Sequence, residues 1–408
     1  MKPDTALETA AVHAGREDLF DLGVHALPLD LSTTYPLADL AAASESMGAL
    51  GRGEMPRGTP VYARMFNPTV DRFERGLAKL EKAEAAVAFG SGMAALTAAL
   101  LAARLRDKSR NHVVAVRPLY GGSDHLLASG LLGFDVTFTD AQGVGAAVRP
   151  DTAMVVLETP GNPTLDLVDI ARAVADAQGV PVLVDSTFTT PVLQRPLAHG
   201  ATLVLHSGTK FLGGHGDVIA GAVCGPEEWA RAMRQVRILT GALLHPLAAY
   251  LLHRGLQTLP LRVRAAQDGA RFVAERLAGH PAVKKLLYPG LPACDPAGLV
   301  GRQMEGPGSM LSFEVASFDV AAEVMRRVDL ITPAVSLGSA DSLIQHPAGL
   351  THRSMSAEAK ASTGISPGLL RLSVGLEDPR DVWADLEQAL DAGLKLAGAR
   401  ARELSAAR

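Results

Sequence analysis

Six short strand-like runs, at residues 86–89, 112–116, 135–138, 154–157, 182–184 and 203–206, recur through the first half of the chain, with helix-like segments such as 170–178 between them. This alternation constrains the fold more than any other feature. Strand, helix and strand in succession build βα units, and βα units build a parallel sheet covered by helices. Open sheets of this kind hold ligands in the crevice beyond the carboxyl ends of their strands. The polar residues that follow the runs are therefore the first candidates for chemistry. They are Glu158 after 154–157, Asp185 after 182–184 and Ser207 after 203–206.

The rest of the chain is organised around that half. At 408 residues it is too long for one ordinary core, so two domains are expected. Residues 1 to about 60 carry Pro28, Pro36, Pro56 and Pro60 and read as an irregular arm that packs on a neighbouring subunit. Phe73, Leu77 and Leu80, spaced among charges, predict an amphipathic helix over 68–83. A helical stretch over 246–264 leads out of the first domain. The remainder has strand signals at 310–315 and 370–374 and helical ones at 268–277, 320–328 and 380–392, which describe a smaller α+β domain. The expected division is an arm at 1–62, a large domain at 63–260 and a small domain at 261–408.

Composition narrows the function classes. Thirty-nine basic residues against 43 acidic ones leave a net charge of −4, with no basic excess for nucleic acid. Two cysteines, Cys224 and Cys294, exclude a disulfide framework and fit a reducing, cytoplasmic setting. They are also too few for a zinc site, and no histidine stands at metal-ligand spacing, so no metal is expected. The N-terminus has early acidic residues and no apolar core, and reads as lacking a signal peptide. Residues 85–103 are uncharged, but Gly90-Ser91-Gly92 interrupts them; a strand, a turn and a buried helix are expected there, not a membrane span.

The richest run is Leu203-Val-Leu-His-Ser207-Gly-Thr209-Lys210-Phe-Leu-Gly-Gly. It sets two hydroxyls and one amine at the end of a buried strand. Desolvation lowers a lysine pKa toward nucleophilic use, and the hydroxyls suit a phosphate. Taken alone, the run reads more simply as a surface lysine after a strand. Asp185, however, stands 25 residues earlier, one βα unit upstream. A buried carboxylate needs a cationic partner, and a protonated pyridine nitrogen is one. Ser91-Gly92-Met93 opens a helix after a strand, where backbone amides bind phosphate well. Tyr120, in Pro118-Leu-Tyr-Gly-Gly, is placed to stack on a flat ring and pass a proton, although core tyrosines are the ordinary case. Arg371, on the strand-like Arg-Leu-Ser-Val-Gly, needs an anion; a substrate carboxylate and a structural ion pair are equally good explanations. No dinucleotide or nucleoside-triphosphate signature appears.

These motifs together resemble the Cys/Met-metabolism group of pyridoxal-phosphate enzymes, which comprises cystathionine γ-lyases and γ-synthases, methionine γ-lyases and homoserine-ester sulfhydrylases. The resemblance runs from about residue 10 to 395. It is carried by Tyr62-Ala-Arg64-Met-Phe-Asn67-Pro-Thr69, Ser91-Gly-Met93, Tyr120-Gly-Gly, Glu158-Thr-Pro-Gly-Asn162-Pro-Thr, Asp185-Ser-Thr187, Ser207-Gly-Thr-Lys210, Ser336-Leu-Gly and Arg371-Leu-Ser-Val-Gly. It implies an aspartate-aminotransferase-like (fold type I) architecture: a large domain with a mainly parallel seven-stranded sheet, and a smaller C-terminal α+β domain. It implies that Lys210 holds pyridoxal 5'-phosphate as a Schiff base and later moves protons. Asp185 would pair with the ring nitrogen, with Thr187 beside it, and Tyr120 would stack on the ring. Ser207, Thr209, Ser91 and the amides of Gly92 and Met93 would hold the phosphate. Tyr62 and Arg64 would complete that site from a neighbouring subunit, in a homotetramer built from dimers. Asn162 would contact the cofactor, and Arg371, Ser336 and Asn162 the substrate.

The resemblance also implies the reaction: γ-elimination on a sulfur-containing or other γ-substituted amino acid, giving a 2-oxo acid, ammonia and the leaving group. Cystathionine-specific members carry Glu and Arg where this chain has Val61 and His125, and methionine γ-lyases have cysteine at the place of Gly122. These three positions are the expected specificity determinants. The stretch from Ala334 to Asp378 looks most like methionine γ-lyase. The alternatives are γ-replacement on an O-acyl-homoserine or a specialised amino acid, a γ-lyase of specialised metabolism and, more remotely, an inactive binding protein that keeps the fold.

Overall fold

The computed structural model describes residues 5–406. The chain divides into two compact units. One comprises Met1–Val116, Ser129–Leu157 and Ile170–Pro260; the other comprises Arg117–Ala128, Glu158–Asp169 and Leu261–Arg408.

The first unit is built on a seven-stranded sheet. Its strands are β1 (Ala85–Phe89), β2 (His112–Val116), β3 (Asp135–Thr139), β4 (Thr152–Glu158), β5 (Val182–Asp185), β6 (Leu203–His206) and β7 (Gly221–Gly225), in the order β1-β7-β6-β5-β4-β2-β3. The pairs β2–β3, β2–β4 and β5–β6 are parallel, while β7 is antiparallel to both its neighbours. Each of the six strand-like runs is a strand. Apart from the edge strand β3, which is half-buried or exposed, their residues are buried almost throughout, as continuous apolar strands covered on both faces must be. The seventh strand that the resemblance implies is β7, whose glycine-bracketed Gly-Ala-Val-Cys-Gly has neither the alternation nor the length that marks a strand in the sequence.

The helices begin where the sequence supplies caps. Helix α3 (Pro68–Glu81) has Pro68 in its first turn, and the Asn67 side chain accepts from the amides of Thr69 and Val70. Helix α4 (Gly92–Arg106) starts directly after β1, with Ser91 accepting from the Ala94 amide. The uncharged 85–103 stretch is thus a strand, a turn and a buried helix. Among the described residues no helix is long and apolar enough to cross a membrane.

Three expectations need correction. The N-terminal arm is not irregular throughout: it contains α1 (Leu7–His13) and α2 (Leu40–Gly51), the latter capped by Asp39. The stretch 246–264 is not one helix, and 268–277 is not separate from it. One helix spans Pro246–Leu256 and a second spans Leu259–Leu277, with Pro260 in the first turn of the second. A proline lacks the amide that helix continuation requires, so the chain breaks before it and restarts on it. The last helix, Pro379–Ala406, runs beyond residue 392.

The second unit holds a five-stranded sheet of β8 (Lys285–Leu287), β9 (Met310–Glu314), β10 (Thr332–Pro333), β11 (Leu343–Gln345) and β12 (Leu369–Ser373), in the order β10-β11-β12-β9-β8. Its core gathers Leu277, Leu311, Phe313, Val324, Ile344, Leu370, Leu372 and Leu386. β8, β10 and β11 have two or three residues each, below what a periodicity reading can resolve. Helix α5 (Gly121–Ala128) also belongs to this unit.

Candidate active site

The polar residues at the strand ends of the first unit form one hydrogen-bonded series. β5 and β6 are parallel, with Asp185 opposite Leu205, so Asp185 and Ser207 leave the sheet at the same, carboxyl, end of the strands. Asp185 Oδ1 accepts from the Thr187 amide at 3.0 Å and from Thr187 Oγ1 at 2.5 Å. Thr187 Oγ1 in turn accepts from the Ser207 amide at 2.9 Å. Lys210 follows in a tight turn, its amide donating to the Ser207 carbonyl and its carbonyl accepting from Gly214. The side chain of Lys210 is half-buried. Thr209 Oγ1 donates to the Ala220 carbonyl at 3.1 Å and accepts from the Ala220 amide at 3.0 Å, which pins the turn to the entry of β7.

The start of α4 lies against the same turn. A Cβ on Gly92 would sit 3.1 Å from Ser207 Cβ and 3.2 Å from Ser207 Oγ. A Cβ on Gly221 would sit 2.2 Å from the Ser91 carbonyl oxygen. Two glycines therefore let the first turn of α4, with Ser91 and Met93, press against Ser207 and β7. Amides at a helix start beside a serine hydroxyl form a donor set suited to a phosphate. Asp185 supplies the complementary test. Desolvation raises its carboxyl above the ordinary range; the hydrogen bonds from Thr187, and then the more distant His206, offset this in part. Its donors from Thr187 are neutral, so a cationic ring nitrogen is the partner this carboxylate lacks. The residues present fit pyridoxal phosphate.

In the second unit, strand register arranges the other candidates. Arg371, in the middle of β12, stands opposite Gln345 of β11 and Ser312 of β9. The three side chains form one row on one face of the sheet. Arg371 is buried, with 2 % of its surface exposed. Its Nη1 donates to Asn162 Oδ1 and its Nη2 to the Ser336 carbonyl, both at 2.8 Å. With the Gln345 amide oxygen turned toward the guanidinium, that oxygen lies 3.1–3.2 Å from Arg371 Nε, Nη1 and Nη2. All three partners are neutral oxygens. Other buried arginines have carboxylates: Arg237 bonds Glu74, and Arg234 bonds Glu227. Burial lowers the Arg371 pKa to about 10, against the opposing charge of Glu158. A buried guanidinium solvated only by neutral oxygens retains its charge for an anionic ligand.

Asn162 and Arg371, far apart in sequence, thus meet, and Ser336 contributes its backbone carbonyl from a residue with φ of 105°. The Tyr120 amide donates to Glu158 Oε2 at 2.6 Å, and the Tyr120 ring lies over Gly122, where a Cβ would come within 2.6 Å of Cε1. His125 is exposed on α5, and Val61 is half-buried in the first unit. Tyr62 and Arg64 are exposed; the Arg64 guanidinium lies 5.5 Å from the Tyr62 ring centroid, and its Nη1 donates to the Ile238 carbonyl. Sequence reasoning missed Gln345, Ser312 and His352, which become neighbours of the Arg371 network only through strand pairing and chain reversal. Glu158 was visible at a strand end but had no assigned role.

Comparison with known proteins places this geometry. The sequence profile of the Cys/Met metabolism PLP-dependent enzymes matches residues 8–391. An L-methionine gamma-lyase of Brevibacterium sandarakinum is 54% identical over 388 residues, covering 94% of this chain and 97% of that protein. An L-methionine gamma-lyase of Streptomyces avermitilis is 56% identical over 387 residues, covering 94% and 89%. The crystal structure of a cystathionine gamma synthase from Xanthomonas oryzae pv. oryzae is similar with a TM-score of 0.88 at 34% identity, covering 96% of this chain and 99% of that one. A cystathionine gamma-lyase structure from Micromonospora echinospora gives 0.84 at 38% identity, covering 95% and 99%. The match over nearly the whole chain, together with the Lys210 turn and the glycine cradle, makes this protein a member of the Cys/Met metabolism family of pyridoxal-phosphate-dependent enzymes.

Proposed function

We propose that this enzyme is a carbon–sulfur lyase that carries out γ-elimination on L-methionine, converting it with one water to 2-oxobutanoate, methanethiol and ammonia. The observation that carries the reading is the Asp185–Thr187–Ser207 series running into the Lys210 turn against the start of α4. The relatives at 54% and 56% identity, both L-methionine gamma-lyases, support the choice of substrate. Bound pyridoxal phosphate supplies an electron sink for carbanions formed next to the substrate amine.

The chain supplies the rest. Lys210 would hold the cofactor, and its amine would take and return protons at the substrate carbons. Asp185 holds a positive charge on the ring nitrogen. Ser207, Thr209, Ser91 and the amides of Gly92 and Met93 hold the phosphate, completed by Tyr62 and Arg64 of a neighbouring subunit. Tyr120 stacks on the ring and donates a proton to the leaving sulfur. Arg371 takes the α-carboxylate, with Asn162 and the Ser336 carbonyl orienting it. Val61, Gly122 and His125 offer no charged partner for a second amino-acid end, which favours methionine over cystathionine. The N-terminal arm serves a homotetramer of dimers in the cytoplasm.

A second reading, γ-replacement, is favoured by the structural likeness to cystathionine gamma synthase. Incubation with methionine, cystathionine, homocysteine and O-acetylhomoserine, with and without a thiol, separates the two. The expected result is 2-oxobutanoate from methionine. Abundant thioether with little oxo acid would overturn the lyase assignment. Replacement of Lys210 by alanine is expected to abolish both turnover and the visible absorbance of the cofactor-bound protein.

A further inference from the structure

The network around Arg371 contains an imidazole that the reaction as described leaves without a role. His352 is fully buried in the second unit. Its Nε2 lies 3.2 Å from the Asn162 carbonyl oxygen, and its Nδ1 lies 2.9 Å from Thr351 Oγ1. Thr351 Oγ1 is 3.1 Å from the Gln345 amide, whose oxygen faces Arg371. Asn162 Oδ1 accepts from Arg371, which closes the circuit Arg371–Gln345–Thr351–His352–Asn162. Ser312 Oγ donates to the neighbouring Pro163 carbonyl at 2.6 Å. The 162–163 segment is therefore gripped through both of its carbonyls and through the Asn162 side chain.

Counting protons shows what the imidazole does. The ring faces the backbone of Asn162 and of Leu119 as well as the Thr351 hydroxyl; the contacts from His352 to Asn162, from His352 to Thr351 and from Thr351 to Gln345 alone need three protons. A neutral imidazole and one hydroxyl hold two. A protonated ring would complete the set, but it would place a second buried cation beside Arg371. Burial, and then the charge of Arg371, push His352 down to about 4, so the ring is neutral near pH 7. Nε2 faces a carbonyl, which can only accept, so the single ring proton belongs there. Nδ1 then accepts from the Thr351 hydroxyl. The Thr351 hydroxyl thereby fixes the tautomer that keeps the ring proton on Nε2.

We propose that His352 is a positioning residue for the substrate carboxylate: with the Thr351 hydroxyl at Nδ1, its one ring proton stays on Nε2 and holds Asn162 by its peptide carbonyl, and with it the Asn162 side chain against the Arg371 guanidinium. This inference rests on the reading that Arg371 takes that carboxylate. It predicts that losing the imidazole weakens recognition of the carboxylate specifically, by letting the neutral cage around the guanidinium disorder.

The test uses the cofactor-loaded enzyme and two unreactive probes, L-norleucine and its decarboxylated counterpart pentylamine, with affinities measured by calorimetry. The wild type is expected to prefer norleucine strongly. In His352→Phe the preference should fall about tenfold, on the scale of one lost hydrogen bond in a charged network. Pentylamine affinity and cofactor absorbance should stay unchanged. His352→Gln, whose amide can donate to the Asn162 carbonyl, should recover most of the preference, and Thr351→Val should lose part of it. An unchanged preference in His352→Phe, or equal weakening of both probes, would overturn the proposal. Should His352→Phe fail to fold, an unchanged preference in Thr351→Val overturns it instead. No preference in the wild type would instead remove the carboxylate role of Arg371 itself.

Discussion

Asp185 and Arg371 present the same physical problem with opposite signs. Each is a charged group withdrawn from water and solvated by neutral partners, Thr187 in one case and Asn162, Ser336 and Gln345 in the other. Such groups cost folding energy until a ligand of the other sign arrives. Replacement of Asp185 by Asn should therefore leave the thermal midpoint of the apoprotein unchanged or raise it. It should also weaken pyridoxal-phosphate binding and lower kcat by roughly 10²–10³-fold, the scale of one lost electrostatic partner. Differential scanning calorimetry beside cofactor titration checks both halves; a lowered apoprotein midpoint would contradict the argument. His352 gives a pH dependence. Its native pKa of about 4 lies below the ordinary 6.5, with burial the larger cause and Arg371 the next. Between those values the unfolded chain binds a proton that the native ring refuses, so stability is complete above pH 6.5 and is lost as the pH falls toward 4. At pH 5 the loss from this group is about 2 kcal/mol. Urea midpoints at pH 7 and pH 5 should show it, and His352→Phe should flatten the difference.

At the scale of elements, the site depends on how closely α4 meets β6 and β7. β1 ends at Phe89 and α4 begins at Gly92, so the chain turns within two residues. Ser91 caps the helix, and Gly221 leaves room for the Ser91 carbonyl where any Cβ would collide with it. Gly221→Ala should destabilise the protein by about 1–3 kcal/mol, the usual scale of overpacking. It should also weaken cofactor binding, because the helix start must move off Ser207. Ser91→Ala removes a cap worth about 1 kcal/mol and should have the milder effect on both. Equilibrium dialysis of the cofactor with urea denaturation would follow the two effects; full cofactor affinity in Gly221→Ala would show that the approach is dispensable. The second unit uses register in the same way: antiparallel pairing lines up Gln345, Arg371 and Ser312, and each reaches a separate partner.

For the whole molecule, the sharing of sites between subunits can be tested genetically. Tyr62 and Arg64 are exposed, and the N-terminal region also exposes Phe20, Leu31 and Leu40. If Arg64 serves a neighbour's phosphate site, Lys210→Ala and Arg64→Ala chains are each inactive alone but complement each other. In a hybrid dimer both lesions fall in one site and the other is intact, so a statistical mixture should recover about a quarter of wild-type activity by the symmetry of the pair. Co-refolding or co-expression followed by assay of 2-oxobutanoate measures this. No recovery would mean that each site is complete within its own chain.

The sequence by itself determined most of the large sheet and named the candidate residues at its strand ends. Most of the six strands were legible because buried strands are continuous apolar runs, and the ends of β5 and β6 exposed Asp185, Ser207 and Lys210 as polar interruptions. The helix starts at Pro68 and Gly92 were legible because capping is local chemistry, carried by Asn67 and Ser91. The break before Pro260, the helices within the arm, and β7, β8, β10 and β11 escaped, because short or glycine-rich segments take their conformation from what they pack against. Only the tertiary structure decided which neutral oxygens surround Arg371. Gln345, Ser312, Asn162 and His352 lie between 19 and 209 residues away along the chain and converge through strand register and backbone reversal, which no local pattern encodes.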